Sequence, residues 1–316
     1  MRRPIAGGAL LLLVLLSLPA AAAEFVAAFS DPSGSFLIDA VGTIHAVQPN
    51  GSITKALVLS QSAGKPVRWT RSVRTFARLG ASWFAADGTE RLVQFRADGT
   101  YSGEVAVPFR IATLTVAGNR LWALNMLAMR SGEQLWFSTD GRKFTAYDAS
   151  PKQQFDSPLD NLVLLEGNRA GDLFFGSMIG PPVLKRVRPP AKPVAFPLAY
   201  SRTKQRTTFE DAEGLVEEVA PYSQPARHLM AIDDGSVAVL RNREDILNAS
   251  RKLETWIGRR VDRYDASGRH VATGVFPETA RFVVAVTKTE AVGINRSGAA
   301  ISAKWGKPVP GAVWTP

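Results

Sequence analysis

The same two-residue turn keeps returning along this chain. Asn50-Gly51, Asp98-Gly99, Asp140-Gly141, Ser267-Gly268 and Ser297-Gly298 each lie between a pair of short apolar-rich runs. A small polar residue followed by Gly accepts the positive φ of a tight hairpin. Antiparallel hairpins repeated this often restrict the chain to an all-β architecture.

Residues 73–108 show the repeating unit. VRTFARLG, ASWFAADGTE, RLVQFRADG and TYSGEVAVP are four strand-length segments separated by turn residues. The second segment recurs at Ser35 (SFLIDA), Ser82 (SWFAAD), Arg120 (RLWALN), Gly171 (GDLFFG), Gly235 (GSVAVL) and Glu290 (EAVGIN). Units of four strands repeated about every 50 residues are the blades of a β-propeller. The expectation is six four-stranded antiparallel blades. A seventh would have to lie between residues 185 and 227. A β-sandwich also uses short strands but does not repeat a four-strand unit.

Residues 1–23 stand outside this unit. Arg2 and Arg3 precede an apolar run from Leu10 to Leu18, followed by Pro19 and Ala20 to Ala23. A basic start, a short apolar stretch and small residues before a cleavage point make a signal peptide. The run is too short to span a bilayer, which takes about 20 apolar residues. Residues 24–316 then form one domain, expected to be a monomer in the periplasm or outside the cell, with no transmembrane segment. The chain has no Cys, so no disulfide supports it and no lipid anchor attaches at Glu24. With three His in all, a zinc site of Cys and His ligands is excluded.

The blade rhythm breaks twice. Around 201–226, Glu210, Asp211, Glu213, Glu217 and Glu218 alternate with Leu215, Val216 and Val219, a pattern compatible with a short amphipathic helix ending at Pro221. At 242–258, Asn242 precedes Arg243-Glu244-Asp245, and Ile246, Ala249, Leu253 and Trp256 or Ile257 follow at helical spacing. The sequence predicts a helical insertion there.

At 230–274 the segments MAIDDGSVAVLRN and RRVDRYDASGRHVATG resemble the six-bladed propeller superfamily that includes NHL and YWTD repeats. The resemblance implies the architecture; such propellers serve as enzymes, ligand binders and assembly platforms. FSTDGRKF at 137–144 is similar to the Asp-box turn of sialidase-type propellers, with one residue fewer between Asp140 and Gly141. In that family the turn is structural, so it implies hairpin chemistry and not sugar cleavage.

Resemblance to lactonase-type propellers implies calcium or another divalent cation at the channel mouth, held by oxygen ligands. Asp39, Asp87, Asn125, Asp172, Asp234 and Asn295 are the strand-end candidates; each also suits an ordinary turn. No GxSxG elbow is present, and none of His45, His228 and His270 sits in a catalytic motif. Trp83, Trp122 and Trp136 are expected to pack between blades. No phosphate loop stands out, and a nucleic-acid partner is not expected.

Charge is the sharpest local signal. The chain carries a formal net charge of +10. Lys185, Arg186, Arg188, Lys192, Arg202, Lys204 and Arg206 cluster without an intervening acid, and Arg251, Lys252, Arg259, Arg260 and Arg263 form a second group. Such clusters attract anionic polymers, but edge-strand Lys and Arg also serve to prevent strand pairing. The sequence therefore points first to a non-catalytic ligand-binding or protein-assembly platform without cofactor. Binding would use Lys185, Arg186, Arg188, Arg202, Lys204 and Arg206 against a protein or anionic surface polymer. The alternative is a metal-dependent lactonase or esterase using the six oxygen candidates.

Overall fold

The computed structural model describes residues 24–309, except 32, 49–50, 63–64, 126–134, 148–162, 178–182, 189–193, 199–204, 212–213, 221–225, 248–249 and 251–252. Residues 1–23, where a signal peptide is expected, lie outside the described residues. Every element among those described is a strand.

Blade 1 comprises β1 (Phe25–Asp31), β2 (Gly34–Asp39), β3 (Thr43–Val47) and β4 (Ile53–Val58). A small hairpin, β5 (Ser60–Ser62) and β6 (Lys65–Pro66), leads to blade 2. That blade is β7 (Thr75–Leu79), β8 (Ser82–Ala86), β9 (Arg91–Phe95) and β10 (Tyr101–Ala106). Blade 3 is β11 (Ile111–Ala117), β12 (Arg120–Asn125), β13 (Leu135–Ser138) and β14 (Thr145–Ala146). Blade 4 is β15 (Val163–Gly167), β16 (Leu173–Ser177), β17 (Val183–Val187) and β18 (Val194–Pro197).

The hairpin β19 (Gln205–Asp211) and β20 (Gly214–Ala220) follows. Blade 5 pairs β21 (His228–Ala231), β22 (Val237–Leu240), β25 (Arg260–Tyr264) and β26 (His270–Val275). Between its second and third strands the chain makes another hairpin, β23 (Arg243–Leu247) and β24 (Leu253–Ile257). Blade 6 is β27 (Ala280–Val286), β28 (Glu290–Asn295) and β29 (Ala300–Lys304).

The first strands β1, β7, β11, β15, β21 and β27 neighbour one another in a closed ring. This is a six-bladed propeller, and the six aligned segments of the sequence supply the second strand of each blade. Two expectations are corrected. At 242–258 the described residues form the paired strands β23 and β24, not a helix: the apolar residues of two short strands fall at a spacing that reads as helical. Residues 210–211 and 214–219 likewise lie on β19 and β20. Three strands of blade 6 lie among the described residues.

The core is a set of layers between blades. Phe29 and Phe36 of blade 1 pack with Phe76 and Trp83 of blade 2. Trp122 and Leu124 meet Leu165 and Phe175 between blades 3 and 4, and Leu240 and Val261 meet Val283 and Ala291 between blades 5 and 6. A second strand is covered on both faces, which is why WFAA, LWAL and VAVL read as continuous apolar runs. Each such side chain withdrawn from water contributes roughly 1.5–3 kcal/mol.

Among the described residues no strand is shared between first and last blades. Closure rests on packing of Phe25, Leu37 and Val47 against Val284 and Ile294, and on the Ser35 hydroxyl donating to the Val284 carbonyl. Side-chain acceptors join other first strands. Thr75 Oγ1 accepts from Leu114 N at 2.8 Å, Thr115 Oγ1 from Gly167 N at 3.0 Å, and His228 Nδ1 from Val283 N at 3.3 Å.

The recurring glycines serve this packing as well as the turn. Gly141 has φ +72°, and a Cβ there would sit 2.2 Å from the Phe84 ring of the preceding blade. Gly268 has φ +81°, with Phe196 of the preceding blade 2.7 Å from the same virtual atom. Only Gly satisfies both the backbone and the approach.

Candidate interaction site at the channel mouth

All six first strands run the same way, so the turns that follow them gather at one end of the channel. Two adjoining cavities of about 780 and 330 Å³ open there and share Ser30, Asp31, Gly167, Asn168 and Arg169. The larger reaches Leu79, Phe84, Val116 and Asn119; the smaller reaches Met230, Asp233 and Val284. Together they touch every blade.

Polar links between turns hold this mouth open. Arg78 Nε lies 2.8 Å from Asp31, and Arg78 Nη2 donates to Ser33 Oγ at 2.7 Å, tying blade 2 to blade 1. The Arg78 guanidinium also lies 5.3 Å from the Trp83 ring centre. Asn168 makes the most connections. Its Oδ1 accepts from Asp172 N at 2.8 Å within the turn, its carbonyl accepts from Gly118 N of blade 3 at 2.9 Å, and its Nδ2 donates to Ile232 O of blade 5 at 2.7 Å. Asp233 accepts from Arg169 N at 3.0 Å. The Arg169 guanidinium is exposed and makes no ion pair among the described residues. The mouth is a mixed surface of apolar side chains, polar turns and an exposed cation, Arg169, that makes no ion pair among the described residues.

The six oxygen candidates do not meet as one set. Asp39, Asp87, Asn125 and Asn295 end β2, follow β8, and end β12 and β28, toward the opposite end of the channel. Asp172 and Asp234 lie in turns at the mouth end. Asp39 accepts from Val41 N and Thr43 N and lies 3.3 Å from His45. For Asp87, burial raises the pKa, but bonds from Thr89, Thr70 N and Arg91 outweigh it and hold the carboxyl below its ordinary value. Asn295 accepts from Ser297 and Ala299 N and donates to Glu278. Among the described residues no three His, Cys, Asp or Glu side chains come within range of a shared metal ion.

Four candidates instead meet in a crevice of about 410 Å³ between blades 4 and 5: Asp172, Asp234, Arg186 and Arg188. Arg188 grips Asp172 with two bonds of 2.9 and 2.7 Å, Arg186 donates to Ala266 O at 2.6 Å, and Asp234 pairs with Arg263 at 3.3 Å. Asp172 thus pairs with Arg188 and lies 3.9 Å from Arg186. Lys185 lies over Phe175, and burial lowers its ammonium pKa. Arg202 and Lys204 lie outside the described residues, as does the side chain of Arg206 on β19.

The second basic group hides a feature that net charge could not reveal. Arg260 and Asp262 are fully buried beside Arg241. Arg241 Nε donates to Asp262 Oδ2 at 2.7 Å, and Arg260 Nε to Oδ1 at 2.9 Å. His270 and Thr273 bond the same Oδ1. Burial raises the Asp262 pKa, but Arg241, His270 and Arg260 overcome it and hold the carboxyl far below its ordinary value. The alternation Arg260-x-Asp262-x-Tyr264 is the available signal, since it places all three on one face.

No family model and no curated protein matches the sequence. Among solved structures the chain is similar to U3-55K, at 10% identity over 91% of this chain and 82% of that one, with a TM-score of 0.54. It is also similar to YCF48 bound to D1 peptide, at 12% identity over 94% and 82% with a TM-score of 0.49. The β-propeller domain of Myceliophteria thermophila Cps50 (Swd1) gives 10% identity over 90% and 96%, with a TM-score of 0.44. The likeness to U3-55K is one of fold alone.

Proposed function

We propose that this chain is an exported, non-catalytic protein-interaction platform that receives a loop or chain end of a partner in the mouth lined by Leu79, Phe84, Asn168 and Arg169. The observation that carries the reading is the mouth itself. It is concave, touches all six blades, is braced by polar links, and presents apolar side chains beside one cation unpaired among the described residues. Such a surface suits a segment that buries one or two apolar side chains and offers a carboxylate to Arg169. The basic start and apolar run at 1–23 support export. The hydrolase alternative gains no support, because its six candidate ligands divide between opposite ends of the channel.

Selection of phage-displayed peptides on the purified protein tests this. Binders should lose at least about tenfold in affinity on Arg169→Glu and on Ser82→Trp, which fills the mouth. Binders indifferent to both substitutions would overturn the reading.

A further inference from the structure

The third strand of a blade is normally covered. In β3, β9, β13, β17 and β25 no described side chain is exposed. In β29 three of five are exposed: Ala300, Ser302 and Lys304. The reason lies in the chain path. Among the described residues none after Lys304 folds back along β29. The chain crosses to blade 5, where Gly306 pairs with Thr273 of β26 and Val309 bonds Thr273 Oγ1 and Arg260.

The ladder register shows what this leaves open. Trp305 N donates to Thr289 O and Asn295 N to Ala299 O. With Ala303 opposite Ala291 and Ile301 opposite Gly293, the odd-numbered residues bond toward β28. The N–H and C=O groups of Ala300, Ser302 and Lys304 therefore point away from it. Among the described residues they have no partner. A row of free backbone groups on a sheet edge is a template for one more strand.

Charge says what kind of strand fits. Lys288 and Lys307 lie near one end of β29, Lys304 lies on it, and Arg296 lies at the other end. All four are exposed and none makes an ion pair among the described residues. Glu290, opposite Lys304, is the one acid on these two strands. We propose that the open edge of β29 accepts an extended, acidic segment of a partner protein as the fourth strand of blade 6. This surface is separate from the channel mouth.

The probe is a synthetic peptide of about eight residues, alternating Glu with Val or Thr, long enough to cover a five-residue strand. Amide hydrogen exchange on the whole protein should show fast exchange at Ala300, Ser302 and Lys304, slowed at least about tenfold by the peptide. Ser302→Pro removes an outward N–H while sparing the ladder to β28, so it should abolish binding with the thermal midpoint retained. Lys304→Glu with Lys307→Glu should weaken binding about tenfold, and salt should weaken it in the unaltered protein. Should Ser302→Pro unfold the protein, the charge-reversed variant and the exchange pattern still decide. No saturable binding below about 1 mM, or protection confined to the channel mouth, overturns the proposal. So do amides already protected in dilute free protein, which would mean the edge is filled by this chain. Protection rising with protein concentration would assign the edge to a second copy and equally overturn it.

Discussion

His228 gives a pH dependence whose direction follows from one bond. Its Nδ1 accepts the Val283 N–H at 3.3 Å, joining the first strands of blades 5 and 6, and its ring meets Phe282 edge-on at 5.5 Å. An accepting nitrogen must be unprotonated. Burial, aided by the Arg227 charge, lowers the pKa from 6.5 to about 4. The unfolded chain thus binds a proton between those values that the folded chain refuses, and stability falls as pH is lowered through that window. Each pH unit costs about 1.4 kcal/mol, so the whole interval is worth at most roughly 3 kcal/mol, since His228 keeps some solvent contact. Below about pH 4 both states are protonated and this contribution is gone. Carboxylates held low, such as Asp87, lose their contribution only below their ordinary value of 3.8, so the two effects separate. Urea unfolding followed by Trp fluorescence between about pH 4 and pH 8 measures the slope. His228→Asn keeps an acceptor for Val283 and should flatten the curve above about pH 4. An unchanged slope in that variant would refute the account.

Three further outcomes are expected. Asp262→Ala should destabilise by about 3–5 kcal/mol, because two buried guanidiniums lose a shared counter-charge; calorimetry should show the midpoint falling by roughly 10 °C. Gly141→Ala should cost about 2–4 kcal/mol in denaturant unfolding, combining a positive φ with a Cβ driven into Phe84. Thr115→Val keeps the volume but strands the Gly167 N–H, and should cost about 1–3 kcal/mol with faster exchange at that amide.

Architecture is legible in this chain because it is local. Ser82-Trp83-Phe84 and Arg120-Leu121-Trp122 carry the signature of a doubly covered strand, and Asp140-Gly141 that of a turn. The 242–258 segment misleads because apolar spacing alone does not separate a helix from two five-residue strands. Asn248-Ala249-Ser250 between Ile246 and the strand-forming Thr255-Trp256-Ile257 is the better guide. The mouth is not legible at all. Asn168 reaches Gly118 in one blade and Ile232 in another, and Arg169 N reaches Asp233; nothing in a linear sequence places these together. Asp172 and Arg188 each stand out separately as candidates, but only the fold makes them partners.

The edge of β29 unpaired among the described residues and the buried charges of blade 5 are linked through residues 305–309. A chain that turned back after Lys304 would complete its own blade and leave blade 5 alone. This chain goes to blade 5 instead, and that route needs an anchor. Thr273 supplies one: its backbone pairs with Gly306 and its hydroxyl bonds Val309 N while donating to Asp262. Arg260, also on Asp262, holds the Val309 carbonyl at 2.6 Å. Asp262 thus orients both groups that hold residues 306–309. It follows that Asp262→Ala should do more than destabilise. It should loosen residues 305–309, shown by faster amide exchange at Gly306 and Val309 before global unfolding. With residues 305–309 freed, their backbone can compete for β29, and the acidic peptide should then bind more weakly although no residue of its site has changed.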